Sequence, residues 1–116
     1  MRFMLMDIAS KESESGDMPS DEVMAAMGEF MDEAIKSGVL LSTEGLHPSA
    51  MGTRVRVSGD SVNVTDGPFT STISDFALIE VGSKNEAVEW ATRWLRLFGE
   101  GEAEIRQIVE ESDLPH

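Results

Sequence analysis

Only two helix-length apolar stripes accompany six strand-like patterns in this sequence, and this ratio limits the folds that the chain can adopt. The first stripe predicts a helix over residues 20–37, with a serine cap at its start and Gly38 after its end. The second predicts a helix that begins after Ser83 and ends near Phe98. Two helices cover one face of a sheet, so the opposite apolar face needs another cover. A second copy of the chain is the simplest cover, and we therefore expect a homodimer.

The strand patterns differ in how strictly they alternate. Residues 2–9 and 76–81 are nearly continuous apolar runs, as in strands covered on both faces. Residues 53–57 and 61–65 alternate strictly, and the Gly-Asp pair between them suits a tight hairpin turn. The remaining assignments are strands at 39–46 and 103–109, a mobile polar loop at 10–19, an unassigned stretch at 70–74 and a frayed polar tail at 110–116.

The order of these patterns is strand–helix–strand, then the hairpin, then strand–helix–strand again. Two such halves with right-handed crossovers form one sheet that carries both helices on the same face. The prediction is a single domain over residues 1–116 with a ferredoxin-like α+β fold and an inserted β-hairpin.

The composition of the chain excludes several classes of partner and site. Twenty-two acidic residues against nine basic ones give a net charge of −13, which repels nucleic acid and anionic membrane surfaces. The absence of cysteine excludes disulfides, thiolate metal sites and thiol nucleophiles. No apolar run reaches the roughly 20 residues that cross a bilayer, and the first residues lack the length and cleavage site of a signal peptide. We therefore expect a cytoplasmic protein, and no sequence motif indicates a cofactor.

Two residues are the candidates for catalysis. His47 is the one histidine away from the tail, and an imidazole that titrates near neutral pH can act as a general acid or base. Asp66 begins the turn after the hairpin, where it can accept backbone amides or orient the His47 imidazole. For each of the two residues a purely structural role, in which its side chain hydrogen-bonds to the backbone, stays open as an alternative to the catalytic role.

Four further side chains are candidates for substrate binding. Asp7 and Glu44 lie near strand ends, and we expect them to border one cleft. Arg54 and Arg56 share one face of the hairpin, where they either clamp a carboxylate or phosphate or form a solvated edge. No pair of histidines has the spacing of metal ligands, so we expect no metal site.

A family resemblance rests on short motifs in the same order along the chain. The principal motif is Val64-Thr65-Asp66-Gly67-Pro68-Phe69, which resembles the signature of the DGPF proteins, a branch of the YCII-related domains. Further matches are Phe3-Met4-Leu5-Met6, the segment Glu44-Gly45-Leu46-His47-Pro48-Ser49 and Ala87-Val88-Glu89-Trp90-Ala91. After Phe69 the chain departs from the family, because residues 70–74 replace the Glu-Thr-Lys-Glu that usually follows there.

The resemblance implies a dimeric α+β barrel, in which two ferredoxin-like sheets pack face to face. Relatives in the wider superfamily are enzymes that use a His–Asp pair, whereas DGPF proteins themselves mostly lack an assigned activity. The first function that stays open is therefore an enzyme that binds a small polar or aromatic ligand, in which His47 moves a proton in an elimination or isomerisation and Asp66 orients it. Many DGPF proteins are encoded beside alternative sigma factors of the extracytoplasmic-function class. A regulatory partner of such a sigma factor, attracted by the negative charge of the chain, is therefore the second function that stays open.

Overall fold

The computed structural model describes residues 1–115, and this part of the chain forms a mixed α+β fold of six strands and three helices. In chain order these are β1 (Arg2–Ile8), α1 (Lys11–Ser15), α2 (Asp21–Lys36), β2 (Leu40–Gly45), β3 (Thr53–Ser58), β4 (Ser61–Asp66), β5 (Ile73–Glu80), α3 (Lys84–Arg96) and β6 (Ala103–Gln107). Short 3-10 turns occupy Ser49–Met51 and Glu111–Asp113. The predicted α+β class is thus confirmed.

Four of the strands form one open antiparallel sheet in the order β2-β5-β1-β6. Strands β1 and β5 are therefore central, and each has a neighbour on both sides. Strands β3 and β4 form a separate two-stranded sheet, which is the predicted hairpin. Within the described residues neither sheet closes into a barrel.

The core lies on one face of the four-stranded sheet. Phe3 and Leu5 of β1 and Ile79 of β5 are buried there against Ala87 and Ala91 of α3. Successive side chains of a strand alternate between faces, so the even-numbered residues of β1 point the other way. Four apolar side chains share that opposite surface, and we call it the outer face: Met4, Met6, Phe76 and Leu78. Each of the four is partly exposed.

Both long helices begin at their predicted serine caps. The Ser20 hydroxyl accepts a hydrogen bond from the Val23 amide at 3.2 Å, and the Ser83 hydroxyl accepts one from the Glu86 amide at 3.2 Å. These bonds satisfy amides that have no partner inside the helix. Side chains from both helices line the same side of the sheet, as the two-helix pattern predicts.

The structure differs from the sequence-based assignments in three short segments. The segment at 10–19, predicted as a loop, contains helix α1, because Ser10 and Ser13 cap each other and Gly16 ends the helix at a φ of 81°. The unassigned stretch contributes its last two residues to β5. The tail forms a 3-10 turn and is held by an ion pair between Arg2 and Glu110 at 2.8 Å, while His116 lies outside the described residues.

The hairpin presents an exposed apolar surface. Val55 pairs with Val64 and Val57 pairs with Val62, so the four valines share one face, and each is 64 to 67% exposed. The chain measures 48 × 48 × 19 Å, with a radius of gyration of 16.5 Å. A compact domain of this length has a radius of gyration of about 13 Å. A single copy is therefore flat and open.

Candidate functional site

A cavity of about 60 Å³ lies between the four-stranded sheet and the two long helices. Its wall is mostly apolar, and the rings of Phe30, Trp90 and Trp94 contribute to it. Asp7 and Asp75 place two carboxyl groups in this wall. At about 30 Å³ per water molecule in the liquid, this volume corresponds to about two water molecules. The two aspartates and the rings are only partly buried, so the cavity is open to solvent on one side.

Sheet register brings the two carboxyl groups together. Asp7 of β1 is the direct cross-strand partner of Asp75 of β5. Leu5 and Ala77, two residues away on the same strands, also line the cavity. Because residues two apart on a strand share a face, both carboxyl groups point towards the helices and away from the outer face.

The aspartate pair holds a proton at neutral pH. Burial, a hydrogen bond with Asp7 and repulsion by the charge of Asp7 together raise the pKa of Asp75 to about 8, in that order of size. A hydrogen bond from the Ser74 hydroxyl, 3.5 Å from Oδ2 of Asp75, acts in the opposite direction. Asp75 is therefore mostly protonated at pH 7 and donates the hydrogen bond that it shares with Asp7.

Trp94 binds the other member of the pair. Its indole Nε1 donates a hydrogen bond to Oδ2 of Asp7 at 2.6 Å. The ring is packed between Phe30, at 5.6 Å between centroids, and Phe98, at 5.2 Å. Helix α3 thus supplies a fixed donor to the carboxyl group of β1.

This arrangement is suited to proton transfer. A carboxylic acid with a pKa of about 8 can donate a proton near neutral pH, and its conjugate base can accept one back. Two adjacent carboxyl groups with different environments commonly divide the roles of acid and base. The low polarity of the wall strengthens any hydrogen bond that a ligand forms with the pair.

The two predicted catalytic residues lie outside the cavity. His47 is exposed in the connection that follows β2, and Asp66 is exposed at the end of β4. Asp66 accepts a hydrogen bond from the Thr53 hydroxyl at 3.1 Å. Within residues 1–115 no hydrogen bond joins His47 to Asp66. Their pairing in catalysis stays a prediction.

Of the four predicted substrate-binding residues, Asp7 alone lines the cavity. Glu44 pairs with Phe76 in the sheet and so lies on the outer face, opposite to Asp7. The Arg54 guanidinium lies over the Phe69 ring at 4.0 Å, and Arg56 is exposed on the hairpin. Asp7 and Glu44 therefore do not border one cleft, and the roles of the two arginines stay predictions.

The Asp-Gly-Pro-Phe turn, residues 66–69, is hydrogen-bonded to the segment between β2 and β3. The amide of Gly67 donates to the Gly52 carbonyl at 2.9 Å, and the amide of Phe69 donates to the hydroxyl of buried Ser49 at 2.9 Å. Both the amide and the hydroxyl of Ser49 donate in turn to the Glu14 carboxylate of helix α1. The motif therefore fastens the hairpin and α1 to the segment between β2 and β3.

Sequence reasoning missed Asp75 and the hydrogen bond of Trp94. The spacing of Ile73, Asp75, Ala77 and Ile79 places them on one face of a strand, and this alternation indicates a carboxyl group on a buried face. The assignment of a strand at 76–81 started one residue too late to include Asp75. The bond that Trp94 donates joins residues far apart in the chain, and such a bond leaves no pattern in the sequence.

Within the described residues no three metal-ligating side chains converge, and no helix is long and apolar enough to span a membrane.

Comparison with known proteins identifies the family of the chain. No curated protein matches the chain. The model of the YCII-related domain family matches residues 1–112, which is nearly the entire sequence. The chain therefore belongs to the YCII-related domain family.

Proposed function

We propose that this protein binds a small, largely apolar molecule beside Asp7 and Asp75 and transfers a proton to or from it. The observation that supports the proposal most strongly is the raised pKa of Asp75, about 8, in a mostly apolar cavity. Strongly shifted pKa values in a concave site are typical of catalytic acids and bases. The family of the chain is compatible with this function and assigns no reaction to it.

The chemistry of the cavity favours a neutral or positively charged ligand. The charge of the aspartate pair repels anions, and the three aromatic rings favour a flat apolar body or a cation. A protonated Asp75 can donate to a carbonyl or enol oxygen of the ligand, while the ionised partner accepts a proton. The reaction class is then isomerisation or elimination beside a carbonyl or enol group.

Turnover of quinol and enol substrates by matched variants tests the proposal. We expect Asp75→Asn and Asp7→Asn to lower kcat/KM by about 100-fold or more, because each change removes a group that carries the proton. Asp66→Asn is the matched control, since Asp66 is an exposed aspartate outside the cavity. Wild-type protein that neither turns over nor binds any member of the panel would contradict the proposal, as would full activity in Asp75→Asn.

The same experiment separates this site from the predicted His47–Asp66 pair. Activity that is lost in His47→Ala and Asp66→Asn but retained in Asp75→Asn would assign catalysis to the predicted pair. Activity that is retained in both His47→Ala and Asp66→Asn would show that the His47–Asp66 pair has no catalytic role. The proposal for the cavity requires this outcome.

We also propose that the chain belongs to the DGPF branch and forms a homodimer with a ferredoxin-like arrangement in each copy. The strand order β2-β5-β1-β6 with both long helices on one side supports the ferredoxin-like arrangement. The partly exposed outer face supports a second copy, since packing two such faces would bury both and form a barrel. The fit of Gly67 and Phe69 around Ser49 supports the assignment to the DGPF branch.

A regulatory partner is the second candidate function, and the net charge of −13 favours it. Such a charge attracts a basic protein surface, and the resemblance suggests an alternative sigma factor as that partner. A pull-down at low and high salt tests this role. Capture of the sigma factor at low salt and its release at high salt would support the role, and no capture at either salt concentration would exclude it.

A further inference from the structure

The aspartate pair is asymmetric, and Trp94 is the source of the asymmetry. The indole Nε1 lies 2.6 Å from Oδ2 of Asp7, whereas the Ser74 hydroxyl is 3.5 Å from Oδ2 of Asp75. An indole N–H can only donate, so its bond is strongest to a charged carboxylate. A hydroxyl can donate or accept and so distinguishes less between the two forms of a carboxyl group.

We propose that Trp94 is a positioning residue, which fixes the negative charge of the pair on Asp7 and thereby keeps the shared proton on Asp75. The indole ring cannot turn away easily, because Phe30 and Phe98 pack against it. The catalytic meaning of this role rests on the proposed function. The position of the proton does not, and can be measured without a substrate.

No other charged group competes with Trp94 for this role among the residues that line the cavity in the described chain. The titratable side chains in its wall are Asp7 and Asp75, while β2 contributes Thr43 and α2 contributes apolar residues. Strand β6 places Ala103 beside Asp7. The guanidinium of Arg93, the basic residue next to Trp94 on α3, is bound instead to the Glu33 carboxylate at 2.6 Å.

Carboxyl-carbon NMR of the aspartates as a function of pH tests the proposal. In the wild-type protein at pH 6, we expect Asp7 to have the resonance of a carboxylate and Asp75 that of a carboxylic acid. Trp94→Phe keeps an aromatic ring and removes the N–H donor, so the proton should shift towards Asp7 by roughly tenfold or more in occupancy ratio. The two resonances should then converge. Trp90→Phe, which changes the neighbouring ring of the same cavity, is the control and should leave both unchanged.

A folded Trp94→Phe variant with both resonances at their wild-type positions would overturn the proposal. A second measurement covers a variant that does not fold. In the wild-type protein the indole proton of Trp94 should shift with the same midpoint as Asp75, and in Asp75→Asn this shift should vanish. An indole resonance that does not respond to pH in the wild-type protein would equally overturn the role of Trp94.

These results are independent of the outcome for the proposed function. A proton that moves in Trp94→Phe while no ligand binds would support the positioning role and contradict the proposed function. Turnover that depends on Asp75, together with a proton that does not move in Trp94→Phe, would support the proposed function and contradict the positioning role.

Discussion

Gly67 occupies a position where no side chain fits. A Cβ atom there would lie 1.8 Å from the carbonyl oxygen of Ser49 and 3.3 Å from the Phe69 ring. We expect Gly67→Ala to lower the free energy of unfolding by about 2–3 kcal/mol, because the backbone around Ser49 would have to move. Chemical denaturation of the purified variant measures this change.

Gly28→Ala is the matched control for Gly67. Nothing lies within 4 Å of a Cβ atom at Gly28, which is inside helix α2. There the same substitution should raise stability by roughly 0.5–1 kcal/mol, because alanine has the higher helix propensity. Equal effects of the two substitutions would show that the close approach of Gly67 to Ser49 does not matter for stability.

Asp75 opposes folding at neutral pH. Its ordinary pKa is 3.8 and its pKa in the folded protein is about 8, so the folded state binds more protons between these values. The contribution of Asp75 to stability therefore falls as the pH rises from about 4 to about 8. Sites that reduce stability in this way are commonly functional ones.

The sequence allowed part of this site to be predicted. Asp7 was a candidate because it lies near the end of a strand, where it was expected to border a cleft. His47 and Asp66 were candidates because of their chemistry, and their positions depend on loops that local patterns do not define. The partnership of Asp7 with Asp75 depends on the register of two strands far apart in sequence, which a single sequence does not contain.

Helix α1 is a short element whose position depends on contacts with the rest of the chain. Five residues are too few for a helix to be stable alone in water. The amide of Ser49 donates to the Glu14 carboxylate at 2.8 Å and its hydroxyl donates to the same group, so α1 is held to the segment between β2 and β3. The sequence predicted the long helices from their stripes and caps, but α1 has no apolar stripe to indicate it.

The Glu14 contact should make part of the stability depend on pH. Hydrogen bonds from the hydroxyl and then the amide of Ser49 lower the pKa of Glu14 below its ordinary value of 4.5. A lowered carboxyl pKa contributes stability that is present above 4.5 and is lost as the pH falls through the lower folded value. We therefore expect Glu14→Gln to be less stable than wild type at pH 7, with a difference that shrinks below about pH 4.

Denaturation midpoints measured from pH 7 down to about pH 3 test this expectation. Glu12→Gln is the control, because Glu12 lies exposed on the same helix and its side chain makes no hydrogen bond within residues 1–115. A difference between Glu14→Gln and wild type that stays constant over this pH range would contradict the role of the Glu14 charge.

The flat shape of a single copy is the basis for the proposed dimer. The radius of gyration of 16.5 Å exceeds that of a compact domain, and apolar side chains are exposed on the hairpin and partly exposed on the outer face. The count of two helices against a two-faced sheet predicted this uncovered face. The sequence did not indicate that the hairpin would stand apart as its own sheet.

Sedimentation equilibrium tests the dimer. We expect wild-type protein to sediment as a dimer and Met6→Glu, which places a charge in the outer face, to sediment as a monomer. Met18→Glu is the control, since Met18 is 74% exposed and lies between α1 and α2 rather than in the sheet. A monomeric wild type, or a Met6→Glu variant that stays dimeric, would exclude packing through this face while leaving the cavity within one chain unaffected.

The titration of the Asp75 carboxyl group in wild-type protein tests the proposed site most directly. Carboxyl-carbon NMR from pH 3 to pH 10 reports the protonation of this residue alone. We expect a midpoint near 8, because burial and the charge of Asp7 both favour the protonated form. A midpoint near the ordinary value of 3.8 would mean that Asp75 holds no proton at neutral pH and would contradict its role as the acid in this cavity.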